Sequence, residues 1–222
     1  DWKQALFARI APYLRTGAVL ASNTSGLSVN QLAQGVPVAQ RTRFCGIHFF
    51  NPPRYMPLVE LIPAWDTDLS MLDQLETWLT RRLGKNVIRA RDTPNFVANR
   101  IGVFSVLAVM HHTARLGLGF DEVDALTGPL IGRPKSATYR TADVVGLDTL
   151  AHVVATMQAN LADDPWHRYF EVPDWLKTLI AHGAVGQKSR AGIYRKDGKA
   201  ILVLDAATGQ YRPQAATVAP EV

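Results

Sequence analysis

Gly46-Ile47-His48-Phe49-Phe50-Asn51-Pro52 is the stretch on which the reading of this chain turns. Residues Arg43 to Phe50 have the length and apolar content of a buried strand. Pro52 has no amide hydrogen to donate, so a ladder ends just beyond it. His48 is therefore expected at a strand end, where open α/β sheets bind their ligands. A second short apolar run, Leu58-Val59-Glu60-Leu61-Ile62, follows and holds a carboxylate. Burying a carboxylate is costly unless it has a partner, and a histidine is the natural one.

Outward from this centre, Ala18-Val19-Leu20-Ala21 is too short for a helix and suits another buried strand. It runs into the polar loop Ser22-Asn23-Thr24-Ser25-Gly26. Trp2, Leu6, Phe7, Ile10 and Leu14 recur at helical spacing and predict a helix over 2–15, stopped by Gly17. Ser28 is the expected cap of the next helix, with Leu32 and Ala33 facing inward. On the other side, Leu69, Leu72, Leu75, Trp78, Leu79 and Leu83 predict an amphipathic helix over 67–83. Asn86 to Ala90 reads as a further strand. Helices alternating with short apolar strands imply an α/β layer with a mainly parallel sheet.

The pattern changes at Asp92-Thr93-Pro94. Thr93 or Asp92 suits an N-cap, and Pro94 suits a first helical turn. A long helix is expected from Phe96 to about Leu116, stopped by Gly117 and Gly119. Further helices are expected over 121–126, 135–144, 147–161 and 174–181. Residues 183–213 carry turn residues around two apolar runs and read as a small hairpin. Residues 214–222 are expected to form a disordered tail. The fold class is thus α/β followed by all-α. The parts are 1–91, 92–213 and the tail.

Composition narrows the function classes. Hydrophobic residues make up 47% and charged residues 19%, which excludes a disordered chain. No run approaches the roughly 20 apolar residues that span a bilayer. The start, Asp1-Trp2-Lys3-Gln4, does not read as a signal peptide. Cys45 is the only cysteine, so no internal disulfide can form, and a reducing, cytoplasmic setting is expected. The net charge of +5 favours anionic partners. The basic residues are dispersed and lack interleaved aromatics, so nucleic acid is not expected. His111 and His112 are adjacent and fall on different helix faces, so no metal site is expected.

A His48–Glu60 pair has a definite use. Oxidising a secondary alcohol needs a base for the hydroxyl proton while hydride leaves. Histidine suits a base near neutral pH, and a carboxylate on its far nitrogen fixes the tautomer and stabilises the imidazolium. Ser25 and Asn51 offer hydrogen bonds to a substrate oxygen or an amide. Taken singly, His48 reads equally well as a core histidine, Glu60 as an edge-strand surface residue and Ser25 as a loop cap. Their combination carries the argument.

That combination resembles the 3-hydroxyacyl-CoA dehydrogenase family. The resemblance lies in Ser22-Asn23-Thr24-Ser25, Gly46 to Pro52, Leu58-Val59-Glu60 and Asp92-Thr93-Pro94-Asn95-Phe96-Val97-Ala98-Asn99-Arg100. It continues through Thr127-Gly128-Pro129, Asp143 to Asp148, Gly186-Gln187-Lys188 and Gly192-Ile193-Tyr194, so it covers almost the whole chain. It implies the C-terminal portion of a Rossmann-like NAD domain over 1–91. A helical domain like that of 6-phosphogluconate dehydrogenase would follow over 92–213, for substrate binding and dimerisation. His48 would be the base and Glu60 its orienting carboxylate. Ser25 and Asn99 would contact substrate, while Asn23, Ser25 and Asn51 would lie at the cofactor. The implied reaction is oxidation of (S)-3-hydroxyacyl-CoA by NAD, a step of fatty-acid β-oxidation.

Two departures qualify the resemblance. Gly132-Arg133-Pro134-Lys135-Ser136-Ala137-Thr138-Tyr139 replaces the family's commoner stretch and resembles long bacterial bifunctional enzymes that also carry an enoyl-CoA hydratase half. Lys135 and Arg133 become candidates to meet CoA phosphates. Further, the chain has no Gly-x-Gly-x-x-Gly turn. The resemblance places that turn upstream of Asp1, so weak NAD binding and slow turnover are expected of these 222 residues alone. Two other readings stay open: a catalytically silent helical dimerisation module, and a related dehydrogenase for a non-CoA hydroxy acid.

Overall fold

The computed structural model describes residues 2–215. The chain divides into two compact units, one ending at Arg100 and the other beginning at Ile101. The first contains helix α1 (Trp2–Ile10), strand β1 (Leu20–Ser22), helix α2 (Val29–Ala33), strands β2 (Phe44–Phe49) and β3 (Leu58–Pro63), helix α3 (Leu69–Leu83) and strand β4 (Asn86–Arg89). Helix α4 (Ala98–Leu116) starts in this unit and continues into the second. Pro12 shortens the expected first helix. It ends at Ile10 and gives way to a single 3₁₀ turn, Ala11–Tyr13.

The sheet is mainly parallel, as expected, with one antiparallel pair. Its order is β1-β2-β3-β4, with β1 parallel to β2 and β3 parallel to β4, but β2 and β3 are antiparallel. The short link between them leaves no room for the crossover of a dozen or more residues that a parallel pair requires. The antiparallel register sets His48 directly opposite Glu60. Residues opposed in this way share a sheet face.

Both faces of the sheet are covered, and alternation assigns them. Phe44 and Ile62 point to one face, where they pack with Phe7, Val29, Leu32 and Phe96. Cys45 points to the other, against Met71 and Leu72 of α3. Val59 and Leu61 join that second layer beside Leu79. Gly46, His48 and Glu60 belong to the first face. A Cβ on Gly46 would stand 2.9 Å from Val29 Cγ2 and 3.1 Å from Ile62 Cβ, so only glycine lets α2 lie this close.

The start of α4 also differs from expectation. Asp92 does not cap it. Its carboxylate accepts hydrogen bonds from Ser28 Oγ and the amides of Val29 and Asn30, at the N-terminus of α2. Ser28 caps α2 as expected, accepting from the Gln31 amide. Asn95 and Phe96 take left-handed backbone angles, with φ of 60° and 51°, so helical geometry begins only at Ala98.

The second unit holds α5 (Phe120–Leu126), α6 (Tyr139–Val145), α7 (Leu147–Asn160), α8 (Asp174–Ala181) and an antiparallel sheet of β5 (Tyr194–Asp197), β6 (Ala200–Leu204) and β7 (Tyr211–Pro213). One core joins them through Leu107, Met110, Phe120, Tyr139, Met157 and Val203. The expected helix over 135–144 begins late because Asp124 gathers the amides of Thr138, Tyr139 and Arg140 at its start. Of the expected tail, Gln214 and Ala215 are hydrogen-bonded to Ile201 and Asp121, and residues 216–222 lie outside the described ones. Among the described residues no helix is long and apolar enough to cross a membrane.

Gly46→Ala should destabilise the protein by about 1–3 kcal/mol through overpacking. Urea unfolding would register this as a lower midpoint at unchanged slope. An unchanged midpoint would show that α2 gives way freely.

Candidate active site

His48 lies one residue from the end of β2 and is 3% exposed. Its Nδ1 is 2.6 Å from Glu60 Oε2. Glu60 is fully buried, and its other oxygen, Oε1, accepts the amides of Val97 and Ala98, each at 2.9 Å. A single carboxylate therefore holds the histidine ring and caps α4, whose N-terminal dipole favours negative charge there.

Burial pushes the Glu60 carboxyl upward. The hydrogen bonds from His48 and from the Ala98 and Val97 amides, together with the charge of His48, outweigh it and hold the group below its ordinary value. Glu60 is then an ionised acceptor at neutral pH, so His48 Nδ1 carries the proton. In the neutral imidazole this leaves Nε2 with a free lone pair. The His48 ring sits 4.5 Å from the Phe50 ring and 5.8 Å from that of Phe96, centroid to centroid. Such walls exclude water and strengthen electrostatics inside the site.

The loop after β1 is drawn to the same place. Asn23 Oδ1 accepts the Phe49 amide at 2.9 Å, which ties the loop to the residue after His48. Thr24 is buried and accepts the Leu27 amide. Ser25 is exposed, and its carbonyl accepts a long 3.5 Å hydrogen bond from Asn99 Nδ2. Asn51 is exposed just past the strand. Six of the seven expected site residues, Asn23, Ser25, His48, Asn51, Glu60 and Asn99, thus belong to the first unit. Lys135 belongs to the second unit, where it lines a pocket with Arg140 and Arg190. Arg133 donates instead to Ser105 Oγ at 2.9 Å.

Sequence reasoning missed Phe50 and Phe96 as walls and the amides of Val97 and Ala98 as partners of Glu60. The available signal was Pro94-Asn95, since asparagine tolerates the left-handed backbone that delays α4. Cys45 is no competing nucleophile: burial pushes its thiol up to about 12. Among the described residues no serine or cysteine hydrogen-bonds to His48, so no side-chain nucleophile is paired with it.

The fold and site thus define a buried histidine–carboxylate pair near the end of a strand of an α/β sheet. The comparisons supply its kinship. Residues 1–93 match the family described as 3-hydroxyacyl-CoA dehydrogenase, NAD binding domain, and residues 96–196 match 3-hydroxyacyl-CoA dehydrogenase, C-terminal domain. This chain belongs to the 3-hydroxyacyl-CoA dehydrogenase family. A probable 3-hydroxyacyl-CoA dehydrogenase of Bacillus subtilis is 44% identical over 94% of the chain, and one of Deinococcus radiodurans 40% identical over 88%. The chain spans 26% and 56% of those relatives' lengths. The crystal structure of (S)-3-hydroxybutyryl-CoA dehydrogenase PaaH1 from Ralstonia eutropha is similar over 89% of this chain and 67% of its own, at 29% identity and a TM-score of 0.78.

Glu60 contributes stability that is present above the ordinary carboxyl range, because its folded pKa is depressed. That contribution is lost as pH falls through the folded value. The stability gap between wild type and Glu60→Gln should therefore narrow on acidification below about pH 4.5, as followed by denaturant unfolding. A gap constant from pH 7 to the acid limb would mean that Glu60 titrates alike in both states.

Proposed function

We propose that this chain carries the catalytic base and part of the substrate site of an NAD-dependent (S)-3-hydroxyacyl-CoA dehydrogenase, which oxidises its substrate to the 3-ketoacyl-CoA in fatty-acid β-oxidation. The observation that carries the reading is the buried His48–Glu60 contact at a strand end. His48 Nε2 takes the hydroxyl proton, and the imidazolium so formed faces the Glu60 carboxylate. Ser25 and Asn99 orient the substrate oxygen. Lys135 meets the phosphate end of the acyl-CoA.

The donor set fits the nicotinamide end of NAD. Asn23, Ser25 and Asn51 set amide and hydroxyl groups at the carboxyl ends of β1 and β2, where α/β sheets bind ligands. When bound, NAD accepts the hydride. These 222 residues hold no Gly-x-Gly-x-x-Gly turn, and weak NAD binding with slow turnover is expected of them alone. The same proposal takes residues 1–91 as the NAD-binding portion and 92–213 as a helical portion that dimerises. It places the protein in the cytoplasm.

Two measurements test this. His48→Gln should slow reduction of acetoacetyl-CoA by NADH about 10²–10⁴-fold while calorimetric binding of acetoacetyl-CoA changes little. Asn99→Ala should weaken that binding about tenfold, the worth of one hydrogen bond to a polar ligand. A His48 variant with undiminished rate would sink the assignment of the base, and unchanged binding would remove Asn99 from the site.

A further inference from the structure

The second unit holds a pocket of about 800 Å³, within the size range of small-molecule sites. Five of its lining residues are cationic: Lys135, Arg140, Arg190, Arg195 and Lys196. One is acidic, Asp143, and both of its oxygens are engaged by the amides of Ile193 and Tyr194. Basic residues that merely solvate a surface diverge or pair with carboxylates. Here they converge on one concavity. Lys135, Arg190 and Lys196 make no ion pair with the described residues.

Two guanidiniums are fixed in advance. Arg140 stacks 4.0 Å from the Tyr194 ring and donates to Gln214 Oε1. Arg195 stacks 4.3 Å from the Tyr211 ring. Stacked arginines keep their planar donor forks and lose little freedom on binding an oxyanion. Arg190 is presented from a left-handed backbone, φ 61°, at the end of the turn Gln187–Ser189. Val144 and Ile201, both exposed, give the pocket an apolar wall.

We propose that this pocket is a binding site for a diphosphate ester whose organic part lies against Val144 and Ile201. A single phosphate would leave most of the five cations unmatched, whereas a diphosphate presents enough charge and acceptors for bidentate arginine contacts. The site itself rests on this charge and shape, and only the CoA-thioester source rests on the dehydrogenase reading, which gives Lys135 to the phosphate end of the acyl-CoA. The diphosphate has two possible sources, a free nucleoside diphosphate or the diphosphate of a CoA thioester.

Inorganic pyrophosphate is titrated calorimetrically into the chain, and ADP and acetyl-CoA are then used as competitors. Pyrophosphate should bind with an affinity that falls as salt rises. The double variant Arg190→Asn with Lys196→Gln should weaken it about tenfold or more. Asparagine suits the left-handed backbone at 190, so the fold is retained. The milder variant Lys135→Gln should weaken binding in the same direction, and His48→Gln should leave it unchanged. Stronger competition by acetyl-CoA than by ADP identifies the thioester as the source, and the reverse identifies a free nucleotide. No pyrophosphate binding at low salt, or binding indifferent to the double variant, would overturn the proposal.

Discussion

The Glu60 carboxylate is the contact on which the candidate site depends. It is fully buried, and its two oxygens serve two purposes: one holds His48 Nδ1, the other accepts the amides of Val97 and Ala98. The register of β2 against β3 brings the pair together, and the left-handed backbone at Asn95 and Phe96 turns the α4 amides toward the same carboxylate. An unpaired buried carboxylate would be protonated or excluded. Three hydrogen bonds keep this one ionised, and its charge in turn dictates which imidazole nitrogen is free.

The same economy recurs elsewhere in the chain. Asp92 caps α2 from a distant loop, Asp124 gathers three amides at the start of α6, and Asp143 holds the amides of Ile193 and Tyr194. Each of these carboxylates, Asp124 and Asp143 buried and Asp92 partly so, joins separate segments by satisfying amides that a helix start or a turn leaves open. Burial pushes Asp143 up to about 6 even so, which shows that such contacts offset desolvation only in part. Glu60 differs because a histidine is added to its amides.

The order of elements was legible in the sequence, since it follows from local chemistry. Apolar runs of strand length, helical spacing in Leu69 to Leu83 and the Ser28 cap needed no distant information, and the helix over Asp174–Ala181 was placed to the residue. The pairing of His48 with Glu60 was legible too, because a carboxylate in an apolar run calls for a partner, whereas Asn99 was singled out only by the family resemblance. Tertiary structure alone decided that β2 and β3 run antiparallel, that Asp92 serves α2, that Glu60 serves α4, and that Lys135 keeps company with four other cations. The physical reason is the range of the forces. Propensity and periodicity act within a few residues, whereas strand register, the destination of a buried carboxylate and the convergence of charges depend on which distant segments the packed core brings together.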